Sequence, residues 1–490
     1  MRARVALKLR NHTDIPYETF PQDNYVTPPP PSASAATATA AIPVMTSRPP
    51  WRETLVALRV RNYRLFASSN LVQNTAGWMQ RIAMDWLVLE LTGSATAVGV
   101  TVAMQFTPML LFGLFGGVIA DRFPKRNLLI CTQSSVVLLA VILAVLTLTG
   151  VVQVWELWTI SFVLGLVTVI DNPARQVFVN ELVGPRYLRN AISINSSIFQ
   201  LGGLLGPAIG GVLITTIGAG WLFAINAVGC AVVVTNLFRL RTSELHASPV
   251  VARGKGQLAE GMRYVVSKPP IFWTILMVAF LAVFALSMPV FLTSFANDVY
   301  KVGAAGYGAF NALVAGGAFV GALASTRRMS VRLRTIISGA AALGVMQLLA
   351  GIAPNEITFG ALLVATGMAN LLFITAANSL VQMSSNVRIR GRVMSLYILV
   401  LLGGQAIGGP VMGWAVEQFS PQVAMFASGA LPLIAACVIG IVLARSGQLG
   451  IRVSLKRADR FMQIVHRPAP RRRPVMRRRA AMPAPEESRA

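Results

Sequence analysis

Two ionisable residues stand one helical turn apart inside an otherwise apolar run: Arg81 and Asp85, in the stretch QNTAGWMQRIAMDWLVLEL that covers 73–91. At i, i+4 they share one face of a helix and can pair. An acid among apolar residues can take a proton when its surroundings are dry and release it when they are wet, and a neighbouring base tunes that exchange. The same spacing also suits a permanent ion pair that only orders the helix. The residues leave both open. A charge at the centre of a lipid-spanning helix costs about 2.5 to 3.5 kcal/mol, so such a group is by default a candidate for function. Glu90 lies nearer the end of the run and is expected to face water.

Uncharged polar residues are scattered through the other apolar runs: Gln73, Asn74, Gln80, Gln105, Asn195, Gln200, Asn311, Asn378 and Gln405. Gln80, Gln105, Asn195, Gln200, Asn311, Asn378 and Gln405, with Trp78, are the candidates to line a cavity. Trp78, Trp86 and Phe106 would suit a roomy, apolar cargo. The alternative for each polar residue is a hydrogen bond between helices, worth about 0.6 kcal/mol on average in a membrane.

The elements that must position these groups follow from composition. Of 490 residues, 54% are hydrophobic and only 12% charged, which is the balance of an integral membrane protein. Only a helix satisfies its own backbone in lipid, and about 20 apolar residues span the bilayer. Twelve such runs are predicted, at about 65–91, 97–120, 127–149, 155–178, 191–216, 220–238, 271–296, 303–325, 333–352, 356–381, 392–417 and 421–445. The fold class is therefore an all-α polytopic membrane protein, with twelve transmembrane helices in two six-helix bundles. Its divisions are a tail at 1–50 too poor in bulky apolar residues to fold, a bundle at 51–240, and a linker at 241–270 in which LAEGMRYVV (258–266) has helical spacing. A second bundle at 271–446 and a basic tail at 447–490, disordered by charge, complete the chain. The tail contains the run RRRPVMRRR (471–479), suited to anionic lipid headgroups.

Placing both termini inside the cell puts all but Arg81 and Lys301 of the 43 Lys and Arg on the cytoplasmic side. This positive-inside signal predicts a multi-pass protein of the inner (plasma) membrane with cytoplasmic termini. The net charge of +25 then reports topology and anionic lipid, and nucleic acid is not expected as a partner. Cys131, Cys230 and Cys437 are far apart within predicted helices, and His12, His246 and His466 fall in tails or linker. No spacing suits a disulfide framework, a metal or a catalytic cluster, so neither enzyme nor cofactor is expected.

The second apolar run stops abruptly in charge, at GGVIADRFPKRN (116–127). Gly117 permits close approach of another helix, and Asp121 can accept hydrogen bonds from that helix's amino-terminal amides. Arg122, Lys125 and Arg126 follow. Asp121, Arg175 and Gly391 are expected to gather at the inner ends of helices 2, 4 and 11. With that side closed, Asp121 would bond Arg175 and the amides opening helix 11, a latch between the bundles. Gly202, Gly206 and Gly210 repeat every four residues beside Pro207 and Gly211, and close packing against the other bundle is expected. The halves also repeat: Gly117 to Asp121 (GVIAD) corresponds to Gly321 to Ser325 (GALAS), and Gly206 to Gly210 (GPAIG) to Gly409 to Gly413 (GPVMG). A parallel duplication of six helices is the plan of transporters that rock two bundles about a central site.

The loop Gly117-x-x-x-Asp121-Arg122-x-x-Lys125-Arg126 and the helix-5 series Gly202-x-x-x-Gly206-Pro207-x-x-Gly210-Gly211 resemble the loop 2-3 signature and antiporter motif of the major facilitator superfamily. DWLVLELTGS (85–94), DNPARQ (171–176), NAISINS (190–196), LAEGMRY (258–264) and RGRVMS (390–395) resemble its drug:proton antiporter branch, which includes macrolide efflux proteins and the enterobactin exporter. The resemblance spans about 51–445. It implies a secondary active transporter that exports drugs or amphipathic small molecules against proton entry by alternating access, with a siderophore or other secreted metabolite as the alternative cargo. A transport-dead sensor would need a folded soluble domain, which the tails do not suggest. The chain departs from the branch in having Gly203 where an arginine often precedes the antiporter motif, and in lacking an early arginine in helix 4.

Overall fold

The computed structural model describes residues 55–246, 257–325, 332–386, 389–445, 450–453 and 462–465. The 1–50 tail and the 471–479 basic run lie outside them. The spanning helices are α1 (Arg61–Thr92), α2 (Ala95–Arg122), α3 (Lys125–Leu148), α4 and α5 within Val154–Ile217, and α6 (Ala219–Phe238). The second half contributes α7 (Pro269–Val299), α8 (Gly303–Ser325), α9 (Leu333–Gly351), α10 (Glu356–Ser384), α11 (Arg390–Gln418) and α12 (Pro421–Arg445).

Ten helices among the described residues are long and apolar enough to cross a membrane. One of the ten, Val154–Ile217, is 64 residues and bends back at Gly184 (φ +64°) before Pro185, so it supplies both α4 and α5. α1 falls outside the ten because Arg81, Asp85, Glu90 and its amides dilute its apolar run. Together these make the expected twelve.

Local sequence sets the ends. Gly93 (φ +62°) terminates α1 in the left-handed region, and Ser94 caps α2 by accepting from the Ala97 amide at 3.0 Å. α7 is interrupted at Ala285 to Ser287 and closes in a π turn at Phe295–Val299. Gln347 of α9 donates to the Ala285 carbonyl at 3.0 Å, satisfying one group freed by the break. The linker helix Gln257–Ser267 lies on α11 and is held by Glu260 to Arg392 and by the Tyr264 hydroxyl, which accepts from the Asn386 amide.

The hydrophobic core is continuous at one end of the molecule and divided at the other. One cluster joins the two bundles, from Met79 to Leu89, Val98 and Leu222 of the first to Phe291, Tyr307, Phe359 and Met412 of the second. Toward the end that carries Arg122 and Lys125, two separate clusters replace it. Tyr63, Phe66, Phe178 and Leu237 belong to the first bundle, and Ile271, Ile336, Phe373 and Tyr397 to the second. The bundles thus fuse at the charge-poor end and part at the basic end.

Two helix pairs make the junction, α2 with α11 and α5 with α8. Glycine is required where backbones meet. A Cβ on Gly308 would stand 2.5 Å from the Gly211 Cα, and one on Gly99 would stand 2.2 Å from the Gly409 carbonyl oxygen. The duplicated Gly-Pro segments therefore both serve this junction, through Pro207 and Gly211 in one half and Gly409 in the other.

In the carboxy-terminal tail, Gly450–Val453 (β1) and Met462–Val465 (β2) pair antiparallel, with Gly450 opposite Val465. Ile451 and Val453 alternate with Arg452, and Met462 and Ile464 with Gln463, which is strand periodicity.

Candidate transport site

α1 brings Arg81 and Asp85 to the level where the bundles meet. Asp85 is 1% exposed, and its Oδ2 accepts from the Tyr307 hydroxyl of α8 at 3.0 Å. Its Oδ1 is buried with no hydrogen-bond partner. Among the described residues the two side chains of the i, i+4 pair do not come within ion-pair distance in this state. Arg81 is exposed and lies over the Trp78 ring, 4.8 Å from its centroid. Arg81 still lies within electrostatic reach of both Asp85 and Tyr307.

The Tyr307 ring is held by stacking, and its backbone carbonyl is bonded within α8. Trp86 stacks on it with centroids 6.0 Å apart and planes at 24°, and the Asn311 amide donates to the Tyr307 carbonyl at 2.9 Å. The Trp86 indole donates to Glu90, so Glu90 anchors that ring as well as facing water. A carboxyl group with one donor from the opposite bundle and one empty oxygen has room for one more partner, a proton or a second donor.

Tyr307 was not among the sequence candidates. The signal available was a phenol in an apolar run at the start of helix 8, at the same depth as Asp85, but only the crossing of α5 and α8 makes the two meet.

The predicted cavity residues divide. Gln80 is buried and accepts from Asn226 of α6 at 2.6 Å, so it joins α1 to α6 instead of lining a cavity. Asn195 accepts from the Tyr63 hydroxyl at 3.2 Å and serves the first bundle in the same way. Asn378 accepts from Gln382, and Gln405 donates back to the Leu401 carbonyl of its own helix. Gln105 and Gln200 are half-buried. Trp78 is half-buried too, edge-on to Phe199 with centroids 5.8 Å apart.

The glycine series is corrected in direction. Cβ atoms on Gly202, Gly206 and Gly210 would strike Asn74, Trp78 and Ile82 of α1, so this face packs within the first bundle. Gly211, one residue on, is the member that meets the other bundle. The physical reason is the 100° turn per residue: Gly210 and Gly211 point to different neighbours.

At the basic end the close approach to α4 falls to Gly116, where a Cβ would lie 2.0 Å from the Val169 carbonyl oxygen. Gly117 and Asp121 are half-buried, and Arg122 is exposed. Arg126 caps α6 by donating to the Leu237 and Phe238 carbonyls at 2.8 and 3.3 Å. Lys125 lies within electrostatic reach of Glu181. Arg175 pairs with Asp171 at 3.0 Å and donates to Asn70 at 2.7 Å, while Thr132 and Gln133 donate to the other Asp171 oxygen. This network ties α4 to α1 and α3. Gly391 of α11 has nothing within 4 Å of where a Cβ would be.

Residues 52–459 match the family described as transmembrane secretion effector. The chain belongs to that family, within the major facilitator superfamily. It is a multi-pass membrane transporter. It is 28% identical over 166 residues to the staphyloferrin A transporter of Staphylococcus aureus, a match spanning 34% of this chain and 42% of that one, less than half the relative's length. It is 23% identical over 368 residues to the enterobactin exporter EntS of Shigella flexneri, covering 74% and 87%. Its fold is similar to that of the nucleoside transporter NupG, with a TM-score of 0.64 at 12% identity over 78% of this chain and 99% of that one. It is also similar to a bacterial homolog of the lysosomal transporter Spinster in an inward-facing, unoccupied conformation, with a TM-score of 0.60 at 18% identity over 82% and 98%.

Proposed function

We propose that this transporter exports small molecules across the inner membrane in exchange for protons, by alternating access, with both termini in the cytoplasm. The observation that carries the reading is the buried Asp85 carboxyl, held through Oδ2 by Tyr307 of the opposite bundle and unpartnered at Oδ1. The positive-inside distribution makes the divided, basic end cytoplasmic. Cargo enters there between the bundles, near Arg81, Trp78 and Phe199. When the outer junction opens, Asp85 loses Tyr307 and meets outside water, where it takes a proton as cargo leaves. The return stroke brings that proton inward.

The names of the relatives favour a siderophore or another secreted metabolite as cargo, and a broader range of amphipathic drugs is the alternative. The test is accumulation of a panel of siderophores, macrolides and fluorescent cations in cells with and without the transporter, with and without an uncoupler. Asp85→Asn is expected to abolish uphill efflux while the protein still inserts. An Asn variant that concentrates cargo at the wild-type rate would make Asp85 structural.

A further inference from the structure

At the fused end, Glu417 in the last turn of α11 reaches across to the start of α2. Its Oε1 accepts from the Ser94 hydroxyl at 2.5 Å and the Thr96 amide at 3.0 Å, and its Oε2 accepts from the Thr96 hydroxyl at 2.6 Å. Ser94 at the same time caps α2 through the Ala97 amide. An acid in the last turn of a helix sits against the negative end of its own dipole. Its place is explained by the other helix, whose amino-terminal amides and hydroxyls meet it. Beneath it the backbones close: a Cβ on Gly413 would stand 2.6 Å from the Ala95 carbonyl oxygen, and Gly409 lies against Gly99.

We propose that Glu417 is the latch of the outer gate, a residue of the transport cycle that holds α11 on α2 while the inner side is open. α2 and α11 run antiparallel, and each carries an acid in its last turn at the end where the other begins: Asp121 on α2 at the basic end, Glu417 on α11 at the charge-poor end. One helix pair thus bears a carboxylate for each closed face. The inference rests on the alternating-access reading above.

The test uses two reporters in full-length protein in lipid nanodiscs, with Cys131 and Cys437 changed to serine. Val98→Cys lies fully buried under the latch, and Ser395→Cys is exposed toward the basic end of α11. Glu417→Gln removes the charge from three hydrogen bonds and is expected to speed maleimide labelling at the outer reporter about tenfold and slow it comparably at the inner one. Thr96→Val, which deletes one donor from the other side, is expected to move both rates in the same directions by a smaller factor. It keeps the proposal testable should the Gln variant fail to insert. Unchanged outer labelling in inserted, transporting protein overturns the latch and leaves alternating access standing. Faster labelling at both reporters together overturns the alternating-access reading on which the latch rests.

Discussion

Tyr307→Phe isolates the bond that ties Asp85 to the second bundle. The substitution removes one hydroxyl and keeps the ring, so the stack on Trp86 and the backbone approach of Gly308 to Gly211 are retained. Asp85 then loses its one donor from a hydroxyl 3.0 Å away, at a site 1% exposed to solvent. A hydrogen bond to a charged group is worth about 1.5 to 3 kcal/mol, and 1.4 kcal/mol is about a factor of ten. The outer-closed state should therefore lose roughly ten- to hundredfold in population against the outer-open state. Uphill efflux driven by a pH gradient should fall by a similar factor. Cargo exchange at equal concentrations on both sides passes through the same outer-closed state and should fall with it. The assay is efflux and counterflow in proteoliposomes with an imposed pH gradient. If the Phe variant keeps wild-type uphill efflux with wild-type dependence on the gradient, the Asp85–Tyr307 bond is packing alone and the coupling argument is wrong.

Two further outcomes follow from the same geometry. Gly308→Leu drives a side chain into Gly211 and the Pro207 carbonyl, so the outer face cannot close and transport should be lost with insertion intact; labelling at Val98→Cys should rise, and a leucine variant that transports normally would show that the α5–α8 contact is not required. Asp121→Asn should weaken closure at the basic end and increase labelling of cysteines placed in the inner half of the cavity, and transport lost with labelling unchanged would move Asp121 from gating to folding.

Much of this transporter can be read along the chain, because the bilayer imposes local rules. Backbone groups in lipid must be satisfied within a helix, so length and apolarity mark twelve runs along the chain, eleven of them within the ten long apolar helices, with the turn between α4 and α5 at Gly184-Pro185. The repeat offset revealed the duplication, and the motifs revealed the family. Asp85 stands out for the cost of its charge, whatever its neighbours.

Partnership is another matter, since it depends on which helix faces which, and sequence spacing speaks only for one helix at a time. The i, i+4 rule offered Arg81 to Asp85, yet the crossing of α5 and α8 supplied Tyr307, and Arg81 turned to Trp78. A ladder of glycines announces close packing without naming the neighbour, so Gly202, Gly206 and Gly210 met α1 and only Gly211 met α8. Along the chain Glu417 is only an acid at the end of a predicted span. Its role came into view only when the antiparallel pairing of α2 and α11 set it against Ser94 and Thr96. Helix identity is a property of about twenty consecutive residues, whereas a contact between residues more than 200 apart is decided by the packing of all twelve helices at once.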